Sequence, residues 1–277
     1  MCHILRKTLY LQRMSVRQHI VFLTGAGISA DSGLCTFRDP DGLWRQVDPL
    51  EFCTASALHE NPERVLAFYN RRRRELLSVR PNEAHRIVAE LEHIHDVTVI
   101  TQNVDDLHER AGSTKVIHLH GELTKVTSSR SRLNPDCIKD FPLERPILTG
   151  DLAADGSQLR PAILFFDEYP TFVSEYAARL CRDADVFVVV GTSLSVGIAP
   201  DLVLLPRKDV PRYLIDPDDF SGRIPDGYIH LREKAVEGMR LFRKEAERGS
   251  LRSTGSWTAR PIKARNRFAL SACNYIM

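Results

Sequence analysis

One glycine-rich turn and three short polar segments hold the groups in this chain that could do chemistry. Gly25-Ala26-Gly27-Ile28-Ser29-Ala30 is a G-x-G-x-x-A pattern directly after the apolar run His19–Thr24. Glycines at a strand-to-helix turn let backbone N–H groups approach a pyrophosphate, and a helix N-terminus adds partial positive charge. A plain tight turn is the other reading. Thr36-Phe37-Arg38 follows, which is not ordinary sequence for a dinucleotide fold. Thr101-Gln102-Asn103-Val104-Asp105-Asp106 supplies amides and carboxylates that could hold a carboxamide, or an Asx-type helix cap at Asp105 or Asp106. His118-Leu119-His120-Gly121 offers His120 as a general base near neutral pH, against the reading of a satisfied core histidine. His118 has no distinguishing feature. Gly191-Thr192-Ser193 adds groups compatible with phosphate or ribose.

Each segment directly follows a β-rich run, so all four fall on one carboxyl edge of a parallel sheet, where open α/β sheets bind ligands. Strand signals recur at Ile20–Leu23, Val97–Thr101, Val116–Leu119, Ala162–Phe166, Val186–Val190 and Tyr213–Ile215. Helical stretches such as Asn82–His93 and Glu175–Arg182 lie between them, and Pro62–Ser78 reads as one amphipathic helix ending before Arg80-Pro81. Alternating strands and helices predict an α/β fold, a Rossmann-like doubly wound parallel sheet with a smaller inserted module. The catalytic unit is expected over residues 14–248. Its large part covers about 14–44, 81–123 and 160–248, and the module covers about 45–80 and the turn-rich 124–159.

The bulk numbers exclude several classes. The 277 residues are 43% hydrophobic and 27% charged, values of a globular protein. A net charge of +2 gives no push toward nucleic acid or acidic membranes. No apolar run is long enough to span a bilayer. Cys2, Cys35, Cys53, Cys137, Cys181 and Cys273 are scattered without a C-x-x-C pair, which suggests a reducing compartment. Residues 1–17 carry Arg6, Lys7, Arg13 and Arg17 and no acid, the composition of a weak transit peptide. A short extension before Met14 is the preferred reading. Residues 249–277 are basic and aperiodic and read as a flexible tail.

Taken together, GAGISADSG (25–33), TFR (36–38), GLW (42–44), TQNVDDLHERAG (101–112), HLHGEL (118–123), RP (160–161) and GTS (191–193) resemble the sirtuins, NAD-dependent protein deacylases. The resemblance covers about residues 18–240. It implies NAD across the carboxyl edge, with Gly25, Ala26, Gly27, Gly191, Thr192 and Ser193 near the phosphates and adenosine half. Phe37 would shield the reacting ribose carbon, Arg38 would contact phosphate, and Gln102 the ribose. Asn103 and Asp105 would hold the nicotinamide carboxamide; Ile28, Trp44 and Ala235 complete the cofactor set. The acyl-lysine oxygen would attack the ribose carbon as nicotinamide leaves, and His120 would act as general base on a ribose hydroxyl. The products would be free lysine, nicotinamide and O-acyl-ADP-ribose. NAD would be consumed rather than reduced.

A finer resemblance lies at Phe68-Tyr69-Asn70-Arg71-Arg72, similar to the Tyr-x-x-Arg signature of the branch removing succinyl and malonyl groups. Tyr69 and Arg72 are i and i+3 on the expected helix, and an arginine fork with a phenol can grip a carboxylate. The competing reading is a solvated four-arginine face, Arg71 to Arg74.

The chain departs from the family pattern in three places. Between HGEL and the RP segment only Cys137 is present, with Ser128 about where the first of four zinc cysteines would stand. Tetrahedral zinc needs four ligands, so no zinc is expected. The roughly 10 kcal/mol that such a metal contributes in small domains would need an offset. Burial of Ile138, Phe141, Leu143, Ile147 and Leu148, about 1.5–3 kcal/mol each, is the expected source. Asp167 replaces the usual glycine in the Phe166–Glu168 segment, which would bind the substrate backbone as an added strand. Asp216 replaces the usual asparagine at the adenosine ribose, where a carboxylate can accept as well. The expected partners are acylated lysine side chains of proteins, with no nucleic acid and no membrane. The protein is expected to be a monomer in the cytoplasm, or in mitochondria if eukaryotic. The competing activities are NAD glycohydrolysis or ADP-ribosyl transfer on the same fold; an NAD-sensing module is a third reading, opposed by His120, Asn103 and Asp105.

Overall fold

The computed structural model describes residues 17–34, 48–170, 173–247 and Leu251. Phe37, Arg38 and Trp44 lie outside them. In chain order the strands are β1 (His19–Thr24), β2 (Asp96–Thr101), β3 (Val116–His118), β4 (Gly121–Ser128), β5 (Lys139–Asp140), β6 (Leu159–Ile163), β7 (Val186–Val190), β8 (Arg212–Ile215) and β9 (Tyr228–Leu231). The helices are α1 (Ala26–Ala30), α2 (Ala55–Glu60), α3 (Pro62–Ser78), α4 (Glu83–Leu91), α5 (Leu107–Ala111), α6 (Val173–Asp183), α7 (Ala199–Leu202) and α8 (Ala235–Glu247).

The main sheet has the order β3-β2-β1-β7-β8-β9 with every pairing parallel. Both faces of its central strands are covered, which is why they read as near-continuous Val, Ile, Leu and Phe. Alternate residues of β1 feed two cores. Ile20 and Phe22 join Val88, Val188, Met239 and Phe242 on the α4/α8 side. Val21 and Leu23 join Cys181, Phe187 and Val189 on the α6/α7 side. The chain builds outward from β1 to β3, then returns to add β7, β8 and β9 on the other side of β1. Strand order therefore reverses between β1 and β7, the place where such sheets open a ligand crevice.

The small module combines α2 and α3 with an antiparallel sheet of order β5-β4-β6. α3 begins at a capped Asn61, whose side chain accepts from Arg64 N–H, with Pro62 at the first helical position. Its buried residues are Val65, Leu66, Tyr69, Asn70, Arg73 and Leu76, a helical stripe facing a third core with Val126, Phe141, Ile147 and Phe165.

Two expectations and one competing reading are corrected. The strand anticipated at Ala162–Phe166 is β6, Leu159–Ile163, and it belongs to the small sheet rather than the main one. It is an edge strand, which tolerates Pro161 because that residue has no N–H to donate. The competing reading of the arginine run as a solvated face holds only in part: Arg71 and Arg74 are exposed, but Arg73 is wholly buried, and its guanidinium donates to the carbonyls of Leu123, Phe141, Pro142 and Arg145. The apolar offset for zinc is only partial. Phe141 and Ile147 are buried, but Ile138 and Leu148 are 40% and 57% exposed.

Polar groups tie the module's turns instead. Ser128 is wholly buried; its hydroxyl donates to Asp155 Oδ2 at 2.5 Å and accepts from the N–H groups of Arg130 and Ser131, both at 3.0 Å. Asp155 in turn accepts from Ser157. Cys137 is 1% exposed and packs in the apolar core. Among the described residues no three His, Cys, Asp or Glu are grouped to hold a metal ion.

Candidate functional site

At the carboxyl edge the glycine turn after β1 meets the turn after β7. A Cβ on Gly27 would lie 2.7 Å from Gly191 Cα, and one on Gly25 would lie 2.6 Å from Thr192 Cβ. These approaches are closer than any side chain permits, so the glycines first serve to seat the two turns together. Gly25 N–H donates to Val190 O at 3.1 Å and Gly27 N–H to Gly191 O at 2.8 Å. The helix that follows, α1, is only five residues long. Ile28 is wholly buried in the core, so only its backbone reaches the edge.

The segment after β2 sits beside this junction. Asn103 Nδ2 donates to Gly25 O at 3.0 Å and to Ser29 Oγ at 3.2 Å. That commits the amide nitrogen and leaves its oxygen for a ligand's donor. Asp105 accepts from Ser29 Oγ at 3.0 Å and from Leu107 N–H at 3.1 Å. Asp105 therefore accepts from the first N–H of α5, just before the N-cap Asp106, and also lines a cavity at the sheet edge. Burial raises its pKa above the usual carboxylate value, against the opposing bonds from Leu107 and Ser29.

Behind Ser29 lies a polar chain that sequence reasoning missed. Ser29 Oγ is 3.4 Å from His85 Nε2, the His85 and His108 rings meet edge-on at 4.9 Å, and His108 Nε2 is 3.1 Å from Thr24 Oγ1. Both histidines are fully buried, and burial holds them neutral: His85 is pushed down to about 3 and His108 well below its ordinary value. Each falls on the apolar face of a helix, where a histidine reads as core; the signal was Ser29 inside the glycine motif.

His120 follows β3. Its Nδ1 lies 2.8 Å from Gln102 O, an acceptor only, so Nδ1 carries the hydrogen and Nε2 is left basic. Burial lowers its pKa, partly opposed by the Gln102 carbonyl. Gly197, at φ 59°, keeps the space before Nε2 open: a Cβ there would stand 3.1 Å from it. His118 bonds Asn103 O through Nδ1 and Glu109 Oε1 through Nε2, both at 2.8 Å.

On the other side of β1, Gln102 Nε2 donates to Thr192 Oγ1 at 2.7 Å, bridging the ends of β2 and β7. Ser193 accepts from Ser195 Oγ. Asp216, just past β8, accepts from Asp218 N–H, and its carbonyl receives His230 Nε2 at 2.9 Å. Ala235 opens α8 and is 4% exposed within the core, which limits any cofactor contact to its backbone.

The small module closes the front. One cavity of about 340 Å³ with its open mouth is lined by Ala26, Ser29, Asn103 and Asp105 from the sheet edge and by Arg72 and Leu76 from α3. Arg72 NH1 also donates to Glu75 Oε2 at 2.6 Å. Tyr69 is buried between Phe68 and Phe165, and its hydroxyl bonds Cys53. Burial drives the Tyr69 phenol well above its ordinary pKa and the Cys53 thiol up to about 11, so both are neutral. Phe166 N–H donates to Cys53 O at 2.8 Å. Asp167 accepts from Ala55 N–H at 2.7 Å and from Ser56 N–H and Oγ, both at 3.1 Å, so it clasps the N-terminus of α2. Glu168 is gripped by buried Arg160 through two bonds, 2.8 and 3.0 Å, and by Arg132 at 3.3 Å. It thereby fixes the Phe166–Glu168 segment.

Comparison with known proteins matches residues 25–198 to the Sir2 family. A protein of Bacteroides thetaiotaomicron named NAD-dependent protein deacylase is 47% identical over 223 residues, 80% of this chain and 95% of that protein. One of the same name from Helicobacter pylori is 46% identical over 222 residues, 80% of this chain and 94% of the relative. Among solved structures, a Sir2 homolog–NAD complex superposes with TM-score 0.71 at 37% identity, covering 88% of this chain and 94% of that one.

Proposed function

This chain belongs to the Sir2 family, and on that premise we propose that it is an NAD-dependent protein-lysine deacylase, active on succinyl- and malonyl-lysine and weaker on acetyl-lysine. The observation that carries the reading is the shared cavity: Asn103 and Asp105 on the sheet edge and Arg72 on α3 line one space. Relatives carrying the name NAD-dependent protein deacylase support the activity. NAD bound there supplies an electrophilic ribose carbon and a leaving nicotinamide.

The residues fit that co-substrate. Asn103, its amide nitrogen held by Gly25 and Ser29, turns its oxygen to a carboxamide N–H, and Asp105 lines the same cavity. Gly25, Ala26, Gly27, Gly191, Thr192 and Ser193 border the phosphate half, Gln102 the ribose, and Asp216 the adenosine ribose; Phe37, Arg38 and Trp44 complete the set. His120 Nε2 accepts the proton of a ribose hydroxyl, and Gln102 O holds the resulting imidazolium through Nδ1. Arg72, with the neutral Tyr69 phenol behind it, receives the acyl carboxylate; Glu75 holds the guanidinium until then. Phe166 to Glu168 take the peptide backbone as an added strand. The module works without zinc, its turns tied by Ser128, Asp155 and Ser157. Residues 14–248 form the catalytic unit of a cytoplasmic monomer, and 249–277 a basic tail.

The test is to incubate the protein with NAD and acetyl-, malonyl- or succinyl-lysine peptides, following peptide mass and nicotinamide together. The reading expects one nicotinamide released per acyl group removed, fastest with the acidic acyl groups. Nicotinamide release independent of peptide would replace it with NAD glycohydrolysis.

A further inference from the structure

His118 and His120 reach back from successive outward positions to successive carbonyls of the segment after β2, Asn103 O and Gln102 O, each at 2.8 Å. Their second nitrogens differ. His120 keeps a free Nε2, whereas His118 Nε2 meets Glu109 Oε1 at 2.8 Å. A carbonyl and a carboxylate can only accept, so both His118 nitrogens must carry hydrogen, and the ring is an imidazolium. The His118 side chain is 6% exposed, whereas Glu109 reaches the surface at 38%.

From this geometry we infer that His118 and Glu109 form a charged clamp that positions Asn103 for the carboxamide, and that loss of the clamp proton sets the alkaline limit of the reaction. The inference rests on the deacylase reading above. Asn103 is the hinge of the argument. Its backbone carbonyl is held by His118 and its side chain by Gly25 and Ser29, so the amide oxygen facing the cavity has little freedom. A neutral His118 would present a lone pair to an oxygen at 2.8 Å, and one of the two bonds would open.

The charged surroundings agree. Glu109 faces the ring from α5 and Glu122 from β4; Asp105 and neutral His108 lie within electrostatic reach, and Lys125 of β4 acts on Glu109. Burial alone would lower the His118 pKa, but the Glu109 carboxylate outweighs it and raises the value. A raised histidine pKa keeps the clamp intact at low and neutral pH and loses it as pH rises through that value. His120 runs the other way, since burial keeps its base form available down to a lower pH.

Two measurements decide it. The first is the pH profile of kcat/KM for NAD plus a succinyl-lysine peptide, on wild type and Glu109→Gln. Glutamine keeps an acceptor but removes the charge. The alkaline limb is expected to move down by about one pH unit, a roughly tenfold loss at about pH 9. Activity at about pH 6.5 should stay within about twofold, with the acid limb unmoved. An unchanged profile, or an equal loss at every pH, would overturn the inference. The second is nitrogen-15 NMR of the wild-type histidines at about pH 7.5, near the neutral midpoint of histidine titration. It should show both His118 nitrogens protonated and His120 neutral. A neutral His118 overturns the clamp, and this readout holds even if no peptide is deacylated.

Discussion

In the six-stranded sheet, position is set by burial; in the small module, it is set by a few buried polar side chains. β1 and β7 place Phe22, Leu23, Val188 and Val189 in two cores at zero exposure, and each such side chain stabilises by about 1.5–3 kcal/mol. The proposed catalytic groups then hang from strand ends whose register is fixed by both faces. The module has a single core, and buried polar residues also span it: Arg73 joins α3 to β4 and the 141–145 turn, Arg160 anchors Glu168, and Ser128 ties two turns. Under the proposed function, the sheet edge carries the reaction and the module meets the acyl group, so changes in the module should retune selectivity more than chemistry.

Breaking each side should give different symptoms. The largest effect is expected at the sheet edge. His120→Tyr should lower kcat by about 10²–10⁴-fold and leave the melting temperature near wild type, because the ring supports no core. Normal turnover in this variant would remove His120 from the chemistry.

Next comes Arg73→Met in the module. Several carbonyls would lose a charged donor inside the protein, so unfolding free energy should fall by about 3 kcal/mol, read by urea titration. Nicotinamide release by the surviving folded fraction should be close to normal. A stability loss below about 0.5 kcal/mol would mean that apolar packing, not the arginine, holds α3.

The smallest effect is expected at Ser128→Ala, about 1–2 kcal/mol, since the N–H groups of Arg130 and Ser131 lose their acceptor. This knot also has an acid signature. Hydrogen bonds from Ser128 and Ser157 hold Asp155 down at about 2. A depressed carboxylate stabilises above its unfolded value, near 3.8, and the contribution is lost as pH falls toward about 2. The wild type should lose stability over that window more steeply than Ser128→Ala.

The two regions also differed in how much the sequence disclosed. The main strands were legible because two-sided burial writes uninterrupted apolar runs, and the helix Pro62–Ser78 because its cap, proline and stripe agree. The candidate site was legible wherever a polar segment followed such a run, as at Asn103, Asp105 and His120. The small sheet was not: the apolar residues of β4, Leu123 and Val126, stand three apart across a register shift between Glu122 and Val126, which breaks the alternation of a strand, and β6 contains Pro161. Arg73 was hidden in a charge run, although its spacing from Tyr69, Asn70 and Leu76 puts it on the buried stripe. The role of Asp167 was not legible, because nothing local shows that its partners are Ala55 and Ser56, more than a hundred residues away. His118 was silent for the same reason: its meaning lies in Glu109 and the Asn103 carbonyl.

The division of labour between edge and module is tested most directly by Arg72→Met, comparing kcat/KM for succinyl- and acetyl-lysine peptides at saturating NAD. Methionine keeps the apolar stem and removes the guanidinium. The account predicts that desuccinylation falls by about 10–100-fold, a charge-assisted bond or two lost, while deacetylation changes by less than about threefold. Equal losses on both substrates would contradict it and return Arg72 to a structural partner of Glu75.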